Sequence, residues 1–187
     1  MLVSFNKKNN KEIVSAMIKK FGYKSKMAVP QIKKVVINTS YGRLISDKTN
    51  DEQKKIINLI LQDLSLLSGQ KAVKTHAKKA IAGFKIRQGL PIGAKVTLRG
   101  EKMIDFLARL IHIVFPRTRD FKGISPQSID RQGNLTLAIK EQIAFPEIVQ
   151  EKAKNIFSLE ITVVSSAKSM EEGLELFKLS GFPIKKE

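Results

Sequence analysis

The sequence predicts an α+β fold, and three observations lead to it. Segments typical of helices and of strands are interspersed along the 187 residues, without an internal repeat. Residues 71–75 and 94–99 are predicted to form a strand pair joined by a long hairpin loop, which favours a mixed, mainly antiparallel sheet. The strands alternate between apolar and polar residues, so we expect helices on one face of the sheet and an open polar face on the other. A chain of this length is expected to form a single domain over residues 1–187.

Two helices are predicted in the first half of the chain from apolar residues at helical spacing. The first should end at Gly22, since glycine adopts the left-handed conformation that often closes a helix. Its apolar residues are Ile13, Val14, Met17, Ile18 and Phe21. The second should begin after Asp47 and end at Gly69, with an apolar stripe of Ile56, Ile57, Ile60, Leu64 and Leu67. Both helices are amphipathic and therefore need a surface to pack on.

Two further helices are predicted in the second half. Apolar residues from Met103 to Val114 indicate the first, which should end at Pro116 because proline lacks the amide hydrogen that a helix interior needs. Ser169 and Glu172 have the spacing of a capping box, which predicts the start of a last helix. This helix should stop near Gly181 and Pro183.

Strands are predicted at residues 33–40, 71–75, 93–100, 134–140 and 159–165. Period-two alternation predicts which side chains face the helices. The predicted inward residues are Val35, Ile37, Val73, Ala94, Val96, Leu98, Leu135, Leu137, Ile139, Ile161 and Val163. The predicted outward residues are Lys34, Val36, Asn38, Gln70, Lys74, Lys95, Thr97, Arg99, Thr136, Lys140, Glu160 and Thr162. The outward set makes a broad polar, mainly basic surface.

Charge is the strongest functional signal. The chain has 34 Lys and Arg against 17 Asp and Glu, a formal net charge of +17, which indicates a polyanionic partner. Nucleic acid is favoured over a membrane, because no apolar run approaches the roughly 20 residues of a spanning helix. No cysteine and only two histidines are present, so thiolate and histidine-cluster metal sites are excluded, and we expect no cofactor. The N-terminal residues do not resemble a secretory signal, so cytoplasm is the expected compartment.

An acid-free segment lies at the centre of this charge. No Asp or Glu occurs between Asp63 and Glu101, and residues 76–92 are predicted to form an extended basic loop. Gly83, Gly89, Gly93 and Gly100 are expected to serve as turns. The loop cations Lys78, Lys79, Lys85 and Arg87 are expected to contact phosphate, and we expect the free loop to be mobile. Phe84 either anchors the loop on a partner or folds back onto the body, and both interpretations remain open. His76 either touches phosphate or is simply solvated.

RNA is favoured over DNA, and catalysis is not expected. Aromatic residues make up 6% of the chain, too few for stacking of single strands across a sheet, so we expect recognition of structured RNA through backbone and shape. No helix-turn-helix, zinc finger or basic zipper pattern occurs. No nucleophile with a base and no carboxylate pair is evident. Asp120 and Asp130 are expected to be solvated or capping residues in loops, and His112 to pack in a helix.

Five phrases of the sequence carry a resemblance to a known family. They are VVINTS, SGQKAVKTHAKKAIAGFKIRQGLPIGAKVTLRGE, FPRTRDFKGIS, GNLTLAIKEQIAFPEI and ITVVSSAKSMEEG. In this order, from about Phe21 to Pro183, they resemble the bacterial-type family of large-subunit ribosomal protein L5. The resemblance implies a single α+β domain, no enzymatic activity and a position in the central protuberance of the large subunit.

The resemblance also implies partners and site residues. The polar strand face would bind 5S rRNA through Asn38, Gln70 and Thr97, with Lys34 and Arg99 as phosphate partners. The basic loop would contact the elbow of peptidyl-site tRNA through Lys78, Lys79, Phe84, Lys85 and Arg87. Further implied partners are large-subunit rRNA, neighbouring large-subunit proteins and small-subunit ribosomal protein thirteen.

Some alternatives remain open beside this interpretation. Residues 39–43 read TSYGR, where the family more often has a small, glycine-rich turn, so Tyr41 and Arg43 are expected to alter contacts there. A free RNA chaperone or regulator using the same basic face is the alternative function, and an RNA-modifying enzyme would need a pocket that the sequence does not indicate. The ribosome could be cytoplasmic or organellar.

Overall fold

The computed structural model describes residues 7–46, 48–148 and 155–185, with side chains from residue 11 onward. The helices are α1 (Lys7–Phe21), α2 (Gly42–Ile45), α3 (Asn50–Ser68), α4 (Gly100–Arg109), α5 (Phe115–Arg117) and α6 (Met170–Leu179). The strands are β1 (Ile32–Ser40), β2 (Val73–His76), β3 (Pro91–Leu98), β4 (Leu135–Ile139) and β5 (Leu159–Ser165).

The described strands form one five-stranded antiparallel sheet in the order β2-β3-β1-β5-β4. The predicted hairpin is confirmed, since β2 pairs antiparallel with β3 and Val73 lies opposite Lys95. The pairing becomes irregular between Thr75 and His76, and His76 lies opposite Pro91. A proline is tolerated there because it is the first residue of its strand. The fold class is α+β, as predicted.

The described residues group into two compact units. The first comprises residues up to 35, 99–137 and from 162 onward, and the second comprises 36–98 and 138–161. In the first unit, Met17 of α1 is buried with Leu176 of α6, next to Val29. Lys20 Nζ and Glu175 Oε2 form an ion pair at 2.6 Å on the exposed side of this contact. The apolar face predicted for the first helix therefore packs mainly on the last one.

In the second unit, α3 buries most of the apolar stripe predicted for it. Ile57, Ile60, Leu64 and Leu67 are 4% exposed or less. Gly69 ends the helix in the left-handed conformation, with φ of 63°. At the other end, the Thr49 backbone donates a hydrogen bond to the Glu52 carboxylate at 3.1 Å, which lowers the pKa of Glu52. The predicted helix after Asp47 is confirmed, with its first residue at Asn50.

The end predicted for the third helix is wrong. Residues Leu110–Val114 form a π-helical segment, and helical structure continues through Pro116 to Arg117. The Phe115 backbone N–H donates to Leu110 O, five residues back instead of four. The widened turn accommodates a proline ring that would otherwise crowd the carbonyl four residues earlier. Pro116 therefore lies inside the last helical turn.

The last helix begins where it was predicted, with a modified cap. Ser169 Oγ accepts a hydrogen bond from the Glu172 backbone N–H at 3.3 Å. The Glu172 carboxylate, however, accepts from the backbone N–H of Lys168 at 2.8 Å, one residue before the position that a capping box requires. This arrangement satisfies one orphan donor of the helix, the Glu172 N–H, together with the Lys168 N–H just outside it.

Two predictions about strand positions are wrong. Val73 is 59% exposed and not inward, because it lies opposite Lys95, and cross-strand partners share a face. Gly93 is not in a turn but is buried in β3, where a Cβ would lie 2.7 Å from both Thr39 O and Thr75 Oγ1. Only glycine fits this close approach of strands. Gly89, with φ of 79°, does occupy a turn as predicted.

Candidate nucleic-acid interface

The alternation predicted for β1, β3 and β5 is confirmed, and it leaves polar side chains accessible. Val35, Ile37, Val96 and Leu98 are buried, whereas Asn38 and Thr97 remain partly exposed. Asn38 Nδ2 donates a hydrogen bond to Glu160 Oε2 at 3.2 Å. This bond fixes the amide so that its oxygen remains an acceptor. It also places one carboxylate directly beside a predicted RNA contact.

Gln70 was predicted to face outward beside the second strand, and the structure places it just before that strand. It follows Gly69, the residue that ends α3, and it precedes β2. Its side-chain Nε2 donates to the Thr97 carbonyl oxygen at 3.3 Å, so the structure brings Gln70 and Thr97 together. The backbone N–H of Gln70 donates to Ser68 Oγ at 3.3 Å, which holds the turn in place. Gln70 is exposed, so a partner can reach it.

Lys34 and Arg99 are both accessible, in different settings. Lys34 is partly exposed on β1, where it alternates with the buried Val35. Arg99 is exposed and is the residue immediately before α4. Lys95 is also exposed, and alternation along β3 puts it on the same side as Thr97. Its outward position was predicted, although it was not included among the candidate contacts.

The basic loop, residues 76–92, has its own backbone hydrogen bonds. Ala77 N–H donates to Leu90 O at 2.9 Å, and Gly89 N–H donates to Ala77 O at 3.0 Å. Closer to the tip, Ile81 and Ile86 exchange both of their backbone bonds, at 2.9 and 3.1 Å. The loop is thus a narrow hairpin that continues beyond the sheet.

The tip of the basic loop presents the side chains that the sequence singled out. Lys78, Lys79, Lys85 and Arg87 are all exposed. Phe84 is 69% exposed, so of its two interpretations, folding back onto the body is wrong. Lys85 has a left-handed backbone with φ of 54°, which costs a non-glycine residue about 1 kcal/mol.

Other candidate residues have the ordinary roles expected of them. Asp130 Oδ1 accepts from the backbone N–H groups of Gln132 and Asn134, at 2.9 and 2.7 Å. Burial raises the pKa of Asp130, but these hydrogen bonds outweigh it and lower the pKa overall. His112 is half-buried in the π-helical segment, and His76 is exposed.

The described residues contain no cluster of three or more His, Cys, Asp or Glu side chains that could hold a metal ion. Among the same residues, no helix combines the length and apolarity needed to cross a bilayer.

These features define the class as a basic α+β protein whose accessible polar and cationic side chains suit a polyanion. Residues 25–87 match the family described as ribosomal protein L5. Residues 91–184 match the model of the C-terminal region of the same ribosomal family. The chain therefore belongs to the ribosomal protein L5 family. It is a structural, non-enzymatic component of the ribosome, as the absence of a catalytic pattern led us to expect.

Similarity to bacterial proteins extends over nearly the whole chain. Three of them are named large ribosomal subunit protein uL5. The one from Halothermothrix orenii is 49% identical over 92% of this chain and 93% of its own. The one from Colwellia psychrerythraea is 50% identical over 94% of this chain and 93% of its own. The one from Geotalea daltonii is 48% identical over 98% of this chain and 99% of its own.

Proposed function

We propose that this protein binds 5S rRNA in the large ribosomal subunit and helps to attach it there. Asn38, Gln70 and Thr97 would donate and accept hydrogen bonds, and Lys34 and Arg99 would neutralise phosphates. The observation that carries the proposal is the accessibility of Asn38, Gln70 and Thr97, all in the second unit, in a chain of net charge +17. Polar contacts from outward strand positions leave the apolar core undisturbed, so the binding face and the folding face are separate.

The basic loop would contact a second RNA, the tRNA in the peptidyl site. It extends beyond the sheet, exposes four cations and carries no acid, so it suits the backbone of a structured RNA. Large-subunit rRNA and neighbouring large-subunit proteins would be further partners in the central protuberance, and small-subunit ribosomal protein thirteen would be reached across the subunit boundary. Because the similar proteins are bacterial, we assign this chain to the cytoplasmic ribosome.

The test is binding of purified protein to 5S rRNA over a range of salt concentrations. Each neutralised phosphate releases condensed counterions, so affinity should fall tenfold or more between about 50 and 200 mM salt. 5S rRNA should compete better than an unrelated structured RNA of equal length, because polar contacts add to the phosphate term. A flat salt response, or equal competition by the unrelated RNA, would refute specific 5S binding.

The alternative, a free RNA chaperone or regulator, uses the same face and differs in where the protein resides. In a sedimentation profile of cell extract, a structural component remains with the large subunit through a high-salt wash. A regulator would dissociate and sediment with free protein. The ratio of this chain to 5S rRNA in the washed subunit should be one to one.

A further inference from the structure

A cavity of about 380 Å³ lies between the tip of the basic loop and the turn that follows β1. The loop contributes Phe84, Lys85 and Ile86, and the turn contributes Arg43. Ile92, at the base of the loop, lines it as well. The volume falls in the range of about 300 to 1,000 Å³ that is typical of small-ligand pockets. One aromatic ring, two cations and apolar side chains thus share one concave site.

The wall formed by the turn is held in place by buried neighbours. Tyr41 and Ile45 are fully buried on either side of Arg43, which is exposed. The Tyr41 backbone N–H donates to Ile92 O at 2.9 Å, which ties the turn to the base of the loop. Gly42 lies against Ile92, since a Cβ there would be 3.7 Å from Ile92 Cβ. Arg43 therefore projects from a rigid support.

The wall formed by the loop is supported by its own backbone. Phe84 N–H donates to Ile81 O at 3.2 Å, and Lys85 N–H donates to Ala82 O at 2.9 Å. These bonds define the turn that carries Phe84, whose ring is nevertheless 69% exposed. Within this turn the ring is held at the surface, where it can accept a stacking partner.

We propose that this cavity binds a single unpaired nucleobase of RNA, stacked on Phe84, with the adjoining phosphate at Arg43. A base offers a flat π-face to the ring, and a guanidinium binds phosphate through paired hydrogen bonds. No described residue that lines the cavity is acidic. The inference rests on the proposed function, in which the basic loop lies against RNA, and it adds that the loop captures a base besides contacting the backbone.

Arg43 supplies a cationic side chain to the cavity. It belongs to the TSYGR segment, residues 39–43, where the sequence was expected to alter local contacts. Ser40 and Ser46 line the cavity on either side of it and add hydroxyl groups. Ser40 Oγ donates to Ile92 O at 3.4 Å and Ser46 Oγ donates to Arg43 O at 3.2 Å, so each hydroxyl presents its oxygen as an acceptor. Every base carries a donor on its edge, so the site should prefer unpaired bases without strong selection among them.

The experiment uses the full chain and two RNA hairpins with the same stem. One hairpin is fully paired, and the other carries one bulged 2-aminopurine, whose fluorescence reports stacking. The wild-type protein should bind the bulged hairpin roughly 5- to 100-fold more tightly, as expected for one stacked base, and should change its emission. Phe84→Ala should abolish this preference and leave binding of the paired hairpin within about twofold. Phe84→Tyr should keep the preference.

Two further variants separate the ring from the shape and the charge of the loop. Ile81→Ala removes an exposed apolar side chain from the same hairpin but outside the cavity, so it should keep the preference. Arg43→Gln should weaken binding of the bulged hairpin and lower its salt slope by about one phosphate contact. If Ile81→Ala loses the preference as fully as Phe84→Ala, the shape of the loop and not the ring is responsible, and the proposal is wrong.

Failure of this inference is distinct from failure of the proposed function. If the wild-type protein binds both hairpins equally, with steep salt dependence and unchanged emission, no base is captured, yet RNA binding stands. If it binds neither hairpin at low salt while 5S rRNA still binds, the loop contact with RNA and this inference are refuted and 5S rRNA binding stands. If 5S rRNA fails to bind as well, the proposed function is refuted too.

Discussion

Gly133 and Gly173 pack backbone against backbone, and a Cβ added to Gly173 would lie 2.5 Å from Gly133 Cα. Gly173 is in α6, and Gly133 precedes β4 with φ of 75°. Such a distance is shorter than any relaxed contact between carbon atoms, so a side chain at either position must displace the backbone. The two glycines thus set how closely the helix approaches the loop before β4.

Gly173→Ala should destabilise the protein by about 1 to 2 kcal/mol, because an overpacking cost of up to about 3 kcal/mol outweighs the gain of about 1 kcal/mol that alanine brings to a helix. Urea unfolding followed by circular dichroism measures the change. Gly83→Ala is the matched control, since a Cβ there meets nothing within 4 Å. Equal stability of the two variants would contradict the close contact.

Asp130→Asn should make the protein less stable at pH 7 by about 1 kcal/mol, because the charged carboxylate accepts hydrogen bonds from Gln132 and Asn134. The folded-state pKa of Asp130 is lowered, so this stabilisation is complete above the unfolded-state value of about 3.9 and is lost as pH falls through the folded-state value. The difference in free energy of unfolding should therefore vanish in strong acid.

Asp120→Asn controls for the loss of one negative charge from a basic chain, and it retains a residue that tolerates the positive φ of 56° found at that position. If the loss of stability in Asp130→Asn persists unchanged in strong acid, the hydrogen bonds to residue 130 do not depend on the negative charge of its carboxylate.

Glu160→Gln should raise the affinity for 5S rRNA about two- to fivefold, because it removes a carboxylate that lies beside Asn38, a predicted RNA contact. Gln keeps an oxygen that can accept the hydrogen bond from Asn38. Binding isotherms at about 100 mM salt measure the effect. Glu171 is exposed on α6, and Glu171→Gln should raise the affinity less. An equal increase in both variants would show that only the net charge of the protein matters.

Asn38→Ala, Gln70→Ala and Thr97→Ala should each weaken 5S rRNA binding while the fold stays intact. A lost hydrogen bond to a charged phosphate costs about 1.5 to 3 kcal/mol, or roughly 10- to 100-fold in affinity. Val96→Ala should instead cost about 2 kcal/mol of stability and leave the RNA contacts in place, because Val96 is buried and only 2% exposed. If circular dichroism shows that the three polar variants are unfolded, the assignment of inward and outward strand faces is wrong.

Replacing Lys78, Lys79, Lys85 and Arg87 together with Gln should leave 5S rRNA binding within a few-fold. The same change should reduce retention of peptidyl-site tRNA by ribosomes that carry the variant, and the effect should shrink as salt screens the charges. Trypsin should cut the free wild-type protein first within residues 76–92, where lysines are exposed. Complete loss of 5S binding, or normal tRNA retention at low salt, would contradict this division between loop and strand face.

The strand faces could be predicted wherever one side of a strand is buried. Val35, Ile37, Val96 and Leu98 lie as alternation indicates because burying them stabilises the sheet. The same reasoning failed at Val73, since β2 is an edge strand and both of its sides reach solvent. An apolar residue there is not forced inward, so hydrophobicity carries no information about its direction.

Other features depend on contacts that local sequence does not encode. The need for glycine at position 93 comes from Thr39 and Thr75, which lie on other strands. The cavity joins residues 40–46 with residues 83–92, and their proximity follows only from the paired strands. Pro116 is tolerated through a π-helical hydrogen bond, which no pattern of residue types predicts. The sequence did predict where the positive charge lies, because the segment without Asp or Glu is visible in the order of the residues alone.

Strand β2 ends the sheet, so one row of its backbone groups faces away from β3. An edge of this kind can join the edge of another copy, which is how newly made β proteins aggregate. Here Lys74 is exposed on that strand, Lys71 precedes it, and the irregular pairing at Thr75 and His76 interrupts its regularity. Two such edges repel each other before they can pair. The lysines at this edge therefore oppose strand pairing between two copies of the chain.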